Sequence, residues 1–86
     1  MKNITSIAEL KKEASNTNGY FSEFFIALNF GARSSKRILF DSESNTFCIV
    51  NEIDGTYQDD LTEEKLRNET NILDAIEKGA FYKYDF

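Results

Sequence analysis

Histidine and proline are both missing from this chain of 86 residues, and cysteine occurs once. Without histidine, the chain lacks the side chain that most often serves as a general base near neutral pH and as a metal ligand. Without proline, no turn depends on a cis-prolyl bond. The lone Cys48 excludes an intramolecular disulfide and favours a reducing compartment. These absences narrow the chemistry that the chain is able to support.

Long hydrophobic runs are missing as well. No stretch approaches the roughly 18 apolar residues that a membrane span requires. Residues 1–12 are interrupted by Glu9 and two lysines before an apolar run of signal-peptide length develops. We therefore expect a cytoplasmic protein that does not enter a membrane.

The residues that are present suit a small folded domain. Hydrophobic residues make up 41% and charged residues 29% of the chain, a balance typical of globular proteins rather than disordered ones. A chain of this length builds one core, and no repeat, linker or composition break divides it. The sequence predicts a single domain over residues 1–86.

Hydrophobic spacing predicts an α+β fold with a small antiparallel sheet of three to five strands. Apolar residues recur at helical intervals in residues 4–15, which predicts an N-terminal amphipathic helix. Residues 62–78 predict two helices, or alternatively one, with Gly79 as the terminating residue. The sheet is expected to begin as a meander whose strands occupy residues 20–30, 37–41, 46–53 and 56–58.

Three further features refine the predicted sheet. Because both parities of residues 20–30 carry phenylalanine, we expect cover on both faces, from helices on one and a tail or partner on the other. Asp54-Gly55 predicts a two-residue type I′ hairpin turn. The aromatic segment 80–86 is expected to dock on the sheet as an edge strand.

A basic cluster lies in residues 31–37, which are predicted to form an inter-strand loop. Its candidate anion-binding or partner-binding residues are Arg33, Ser34, Ser35, Lys36 and Arg37. Hydroxyls, backbone donors and arginine forks suit phosphate or carboxylate groups. The spacing matches neither a P-loop nor a dinucleotide-binding glycine motif. The alternative is a solvated loop whose cations pair with the acidic half of the chain.

Negative charge is concentrated in the second half of the chain. Residues 1–50 carry a net charge of +1 and residues 51–86 carry −6, for a total of −5. Six carboxylates form a candidate acidic partner surface: Glu52, Asp54, Asp59, Asp60, Glu63 and Glu64. Such a strip would meet a basic partner or imitate a nucleic-acid backbone. The alternative is that turns and helix starts simply favour carboxylates.

The sequence predicts no catalytic residue and no metal site. Cys48 lies in an apolar run, which predicts a buried strand thiol, and no base adjoins it. Ser34 or Ser35 would not pair with Lys36 as a catalytic dyad, because adjacent strand residues point to opposite faces. An EF-hand register centred on Gly55 has valine and leucine where its first and twelfth ligands belong. We expect no cofactor.

Several segments resemble a group of small bacterial and prophage-type proteins that have no named activity. These segments are Phe25–Lys36, Asn51–Asp54, Leu61–Glu64, Thr70–Ile72 and Ala75–Ala80. The resemblance covers the chain from about residue 21 to its end. It implies that the Arg33 to Lys36 segment and the Asn51 to Asp54 turn are family hallmarks, and it favours accessory roles such as modulating a host protein.

These observations favour a non-enzymatic protein-interaction or regulatory module with a protein partner or with a second copy of itself. The alternative is small-ligand, nucleotide or nucleic-acid binding through the Arg33 to Arg37 segment, although a net charge of −5 disfavours nucleic acid. An enzyme working through Glu23, Glu52 and Asp54 ranks last, since no pairing of these carboxylates is evident.

Overall fold

A computed structural model describes residues 1–15, 20–28 and 32–84. In these ranges, one antiparallel sheet of six strands has the order β1-β6-β2-β3-β4-β5 and is accompanied by three helices. The elements in chain order are β1 (Lys2–Asn3), α1 (Ile7–Ala14), β2 (Ser22–Ala27), β3 (Arg33–Asp41), β4 (Thr46–Asn51), β5 (Tyr57–Leu61), α2 (Glu63–Glu69), α3 (Ile72–Glu77) and β6 (Phe81–Lys83). The predicted α+β fold is confirmed, with one strand more than the predicted maximum.

The helices pack against one face of the sheet. Strands β2 to β5 form the predicted meander, and cross-strand partners such as Ile38 and Ile49 direct their side chains to the same face. Helix α1 contacts β3, α2 contacts β4 and β5, and α3 contacts β6. The apolar core between the two layers consists of Ile4, Leu10, Ala14, Phe24, Ile26, Ile38, Phe40, Phe47, Ile49, Leu61, Leu66, Ile72, Leu73, Ala75, Ile76 and Phe81, and the buried polar residues Ser22 and Lys36 lie on the same side of the sheet. The opposite sheet face carries none of these helices.

Helix α1 begins later than the predicted residue 4 because Ser6 caps it. The Ser6 hydroxyl accepts the Glu9 N–H at 3.1 Å, and the Ser6 backbone is extended. The preceding residues form β1, which pairs with β6. Ile4 follows β1, is fully buried, and donates its N–H to the Phe81 carbonyl at 2.8 Å. Its apolar character therefore reflects contact with the sheet rather than membership of the helix.

Strand β6 lies inside the sheet, between β1 and β2, so the predicted edge position is wrong. Phe81 pairs with Ile26, and the Phe81 side chain is fully buried. Its ring stacks on Phe24 with a centroid distance of 5.3 Å and an interplanar angle of 7°. The N-terminal strand β1 pairs with the edge of β6 that faces away from β2, so the first and last strands of the described chain are neighbours in the sheet.

Residues 62–78 form two helices, which settles the two alternatives. Thr62 caps α2 and accepts the Lys65 N–H at 3.2 Å. At Thr70 the backbone leaves helical geometry, with φ −134° and ψ 166°, while its hydroxyl donates to the Leu66 carbonyl. After α3, Gly79 adopts φ +72°, the left-handed conformation that glycine supplies at a helix end.

The hairpin between β4 and β5 has four turn residues rather than the predicted two. The Asn51 N–H donates to the Thr56 carbonyl at 2.9 Å, and the Gly55 N–H donates to the Asn51 carbonyl at 2.8 Å. Of the two predicted turn residues, Gly55 has positive φ but Asp54 does not. The Asp54 carboxylate accepts hydrogen bonds from the Thr56 N–H at 2.9 Å and from the Thr56 hydroxyl at 2.7 Å. These side-chain bonds favour the longer turn.

Candidate functional site

Residues 33–37 of the predicted basic loop form the beginning of strand β3, so the loop assignment is wrong for them, and Gly31 lies outside the described residues. Strand β3 starts at Arg33, which pairs with Ala27, and the ladder continues through Arg37, which pairs with Glu23. This pairing with β2 holds the segment extended. Because side chains alternate along a strand, Arg33, Ser35 and Arg37 lie on the face without helices, whereas Ser34 and Lys36 lie on the helix side. Alternation therefore separates Lys36 from Ser35, but the prediction that it also separates Lys36 from Ser34 is wrong, because Ser34 lies two residues from Lys36 on the same face.

We call the sheet face that carries no helix the open face, and an aromatic cluster lies on it. Phe25 is only 3% exposed although it is separate from the main core. The Tyr82 ring stacks on it at 5.2 Å, and the Tyr84 ring lies 4.7 Å away at a tilt of 50°. The Arg33 guanidinium lies 4.6 Å from the Phe25 centroid. The C-terminal segment thus covers this face locally, as the two-sided phenylalanine pattern predicts.

A shallow pocket of about 260 Å³ adjoins the aromatic cluster. Phe25, Ala27, Ala32 and Tyr82 supply an apolar lining, and Arg33 contributes a cation. No carboxylate among the residues that the structure describes forms an ion pair with Arg33. The pocket therefore combines an apolar interior with a guanidinium that no described carboxylate pairs.

The rest of the open face has a mixed character. Leu39 and Val50 are half-buried there, and Tyr57 is 58% exposed. Arg37 is already neutralised, because its Nε lies 2.5 Å from a carboxylate oxygen of Glu52. Of the two arginines on this face, Arg33 is therefore the one whose charge is available to a partner.

Cys48 lies in strand β4 as predicted, but on the open face and only half-buried, which corrects the prediction of a buried thiol. Its S–H donates to the Asp59 carboxylate at 2.8 Å. Partial burial and this neighbouring carboxylate raise the pKa of the Cys48 thiol above its ordinary value. The thiol stays protonated at neutral pH, which makes it a poor nucleophile.

The six predicted acidic residues are distributed along the β5 edge in three places. Glu52 and Asp54 lie in the hairpin turn, Asp59 and Asp60 lie in β5, and Glu63 and Glu64 lie in the first turn of α2. The β5 pair adjoins a register shift in the pairing with β4, and Asp60 has φ +52° there. Several of these carboxylates bind local donors, and their use as a partner surface stays a prediction.

On the helix side, a polar cleft of about 710 Å³ opens between the sheet and the junction of α2 with α3. The polar side chains that line it include Ser34, Lys36, Asn51, Gln58, Asn68 and Asn71. We call it the Lys36 cleft. Strand alternation brings Ser34 and Lys36 to it, and Asn51 comes from the neighbouring strand β4. Helix α2 and the start of α3 bring Asn68 and Asn71 from more than thirty residues further along the chain.

Lys36 is 8% exposed, and its ammonium has no hydrogen-bond acceptor or ion-pair partner among the described residues. No fully buried side-chain nitrogen or oxygen in the same ranges lacks a partner. The ammonium must therefore reach the solvent inside the cleft, while its methylene stem is buried. Lys36 is the cation that the Lys36 cleft presents to a ligand.

Burial lowers the pKa of Lys36, and the charge of Asp54 opposes that shift only in part. A cation whose pKa is lowered by folding destabilises the folded state as long as the side chain stays charged. Stability then rises with pH between the lowered pKa and the ordinary lysine value, because the unfolded chain binds more protons in that window. The fold itself therefore does not explain a lysine at this position.

Comparison with known proteins finds no match to a family model, to a curated protein or to a solved structure. Among the described residues, no group of three or more histidine, cysteine, aspartate or glutamate side chains is placed to hold a metal ion. In the same ranges no helix is long and apolar enough to cross a membrane. The open face and the Lys36 cleft are thus the features from which a function has to be argued.

Proposed function

We propose that this protein is a non-enzymatic interaction module of the cytoplasm that binds a protein partner through its open face. The observation that carries the proposal is the aromatic cluster of Phe25, Tyr82 and Tyr84, on which lies the Arg33 guanidinium, unpaired among the described residues. Tyrosine and arginine are the residue types that dominate binding energy at protein interfaces. The hydrogen-bonded strands β2, β3 and β6 position these side chains on the open face.

The geometry favours a partner with one apolar anchor and a neighbouring carboxylate. The pocket beside Phe25 accommodates one apolar side chain, since its volume is about 260 Å³ and its lining is mainly apolar. Arg33 would meet the carboxylate in a charge-assisted hydrogen bond. Arg33 is exposed and its guanidinium lies over the Phe25 ring, so its remaining N–H groups are accessible to such a carboxylate.

The charge on the open face supports a protein partner over a nucleic acid. Arg37 pairs with Glu52, and Glu23 and Asp59 occupy the same side of the sheet. Only one arginine therefore remains for phosphate contacts, in a chain whose net charge is −5. Proteins that bind nucleic acid without sequence preference instead use a continuous basic groove.

Selection of a random peptide library displayed on phage tests the proposal without knowledge of the natural partner. The immobilised baits are the wild type, Arg33→Gln, and the control Arg67→Gln, which removes an exposed arginine on the helix side. We expect the wild type to enrich peptides in which an apolar residue lies next to aspartate or glutamate. Arg67→Gln should enrich the same peptides, and Arg33→Gln should not.

Two results would contradict the proposal. One is the absence of any enriched sequence above an empty surface. The other is recovery of the same peptides on Arg33→Gln as on the wild type, which would remove the guanidinium from the binding surface. Thermal unfolding of each bait, followed by circular dichroism, establishes that all three are folded during the selection.

A further inference from the structure

We infer that the Lys36 cleft is a second binding site, separate from the open face, for a small organic monocarboxylate that also carries hydroxyl or amide groups. The inference starts from a buried lysine whose ammonium points into a cleft and meets no acceptor among the described residues. A carboxylate would supply the missing acceptor in a charge-assisted bond. The cleft volume of about 710 Å³ falls within the range of small-molecule sites.

The other lining side chains are mostly neutral and suit hydroxyl or amide groups. Asn51, Gln58, Asn68 and Asn71 each carry an amide that both donates and accepts. The Asn71 side chain makes no capping bond although it precedes α3. The side-chain oxygen Oδ1 of Asn51 accepts the Ile53 N–H at 3.1 Å, which leaves the side-chain NH₂ group of Asn51 for a ligand. These groups orient a polar ligand, while Lys36 fixes its charged end.

The charges around the cleft limit the ligand to a single negative charge. Lys36 is the one lysine or arginine among the described lining residues, and Glu69 lines the same cleft. Asp54 in the hairpin turn also lies near enough to act on the Lys36 ammonium. A diphosphate or triphosphate would face these two carboxylates with one cation to balance it, so a monocarboxylate is the better match.

The cleft and the open face are independent because strand β3 sends alternate residues to opposite sides of the sheet. Lys36 pairs with Phe24 and Asn51 on the helix side, whereas Arg33 lies over Phe25 on the other. Tyr57 of the open face also lines the cleft, but a ligand there makes no contact with Arg33 or with the aromatic cluster of Phe25, Tyr82 and Tyr84. Failure of either proposal leaves the other intact.

Titration of ¹⁵N-labelled protein, followed by two-dimensional ¹H–¹⁵N spectra, tests the inference. The probes are lactate, glucuronate, N-acetylglycine and N-acetylneuraminate, with glucose and N-acetylglycinamide as neutral counterparts and inorganic phosphate as a plain anion. We expect at least one carboxylate to give saturable shifts at Lys36, Asn51 and Asn71. The neutral counterparts should give none, and phosphate should bind more weakly than that carboxylate.

Lys36→Met provides the decisive variant, with Lys65→Met on the exposed side of α2 as its control. Lys36→Met keeps the length of the buried stem, so its thermal unfolding temperature should equal or exceed that of the wild type. Its affinity for the active carboxylate should fall by about tenfold or more, whereas Lys65→Met should bind like the wild type. Saturable shifts with none of the four carboxylates would overturn the inference. Equal binding of the neutral counterpart, or undiminished binding by a folded Lys36→Met, would also overturn it.

Discussion

Phe81→Ala should leave the protein largely unfolded or only marginally stable at room temperature. Truncating a fully buried phenylalanine costs about 3 to 5 kcal/mol. A domain of this size has a free energy of unfolding of about 4 to 13 kcal/mol in total, so the loss is a large share of it. Phe81 is fully buried, stacks on Phe24 and lies in the strand that joins β1 to β2. Urea unfolding followed by circular dichroism measures the loss.

Phe81→Leu is the control, because leucine keeps much of the buried volume while removing the ring. It should retain a cooperative transition at a lower urea concentration than the wild type. A loss below about 1 kcal/mol for Phe81→Ala would mean that β6 contributes little to the stability of the sheet. Such a result would fit the edge position predicted from the sequence and would contradict the place of β6 between β1 and β2.

Phe25→Ala should cost about 2 to 4 kcal/mol even though Phe25 lies on the face that no helix covers. Its ring is 3% exposed and contacts two tyrosine rings and one guanidinium, so truncation removes several contacts at once. Urea unfolding again gives the free energy. The same variant should no longer bind the peptides selected on the wild type, because the substitution removes the Phe25 ring from the lining of the pocket.

Tyr57→Ala is the matched control on the same face, where the tyrosine is 58% exposed. It should change the urea midpoint little, since little buried area is removed. A destabilisation of Phe25→Ala as small as that of Tyr57→Ala would show that the aromatic cluster is loosely associated. The open face would then lack the rigid platform on which its proposed binding depends.

Local sequence signals are strong enough to predict most elements of this fold. Helical spacing predicts α1, and alternation predicts β2 and β4. The cap at Thr62 and the glycine at position 79 mark real helix boundaries, because each depends on hydrogen bonds or backbone geometry within a few residues. Strand order is different. The place of β6 depends on pairing with β1 and β2, which lie far away in sequence and leave no local pattern.

The candidate sites show the same division between local and long-range information. Composition singles out the basic segment as a candidate site, which stays a prediction, but the loop assignment merges residues that the strand separates. If the predicted strand had begun at Arg33 rather than at Arg37, the alternation of side chains alone would have assigned these residues to the two opposite faces of the sheet. No sequence pattern connects Lys36 to Asn68 and Asn71, since the packing of α2 and α3 against the sheet brings them together.

The central claim is that strand β3 is divided, supplying Arg33 to one binding surface and Lys36 to another, independent one. This division is tested most directly by isothermal titration calorimetry of the binding of one peptide that was selected on the wild type. The titrations use the wild type, Arg33→Gln and Lys36→Met under identical conditions. We predict that Arg33→Gln weakens binding by about tenfold or more and that Lys36→Met leaves the dissociation constant unchanged. Equal losses in the two variants, or a loss confined to Lys36→Met, would contradict the division.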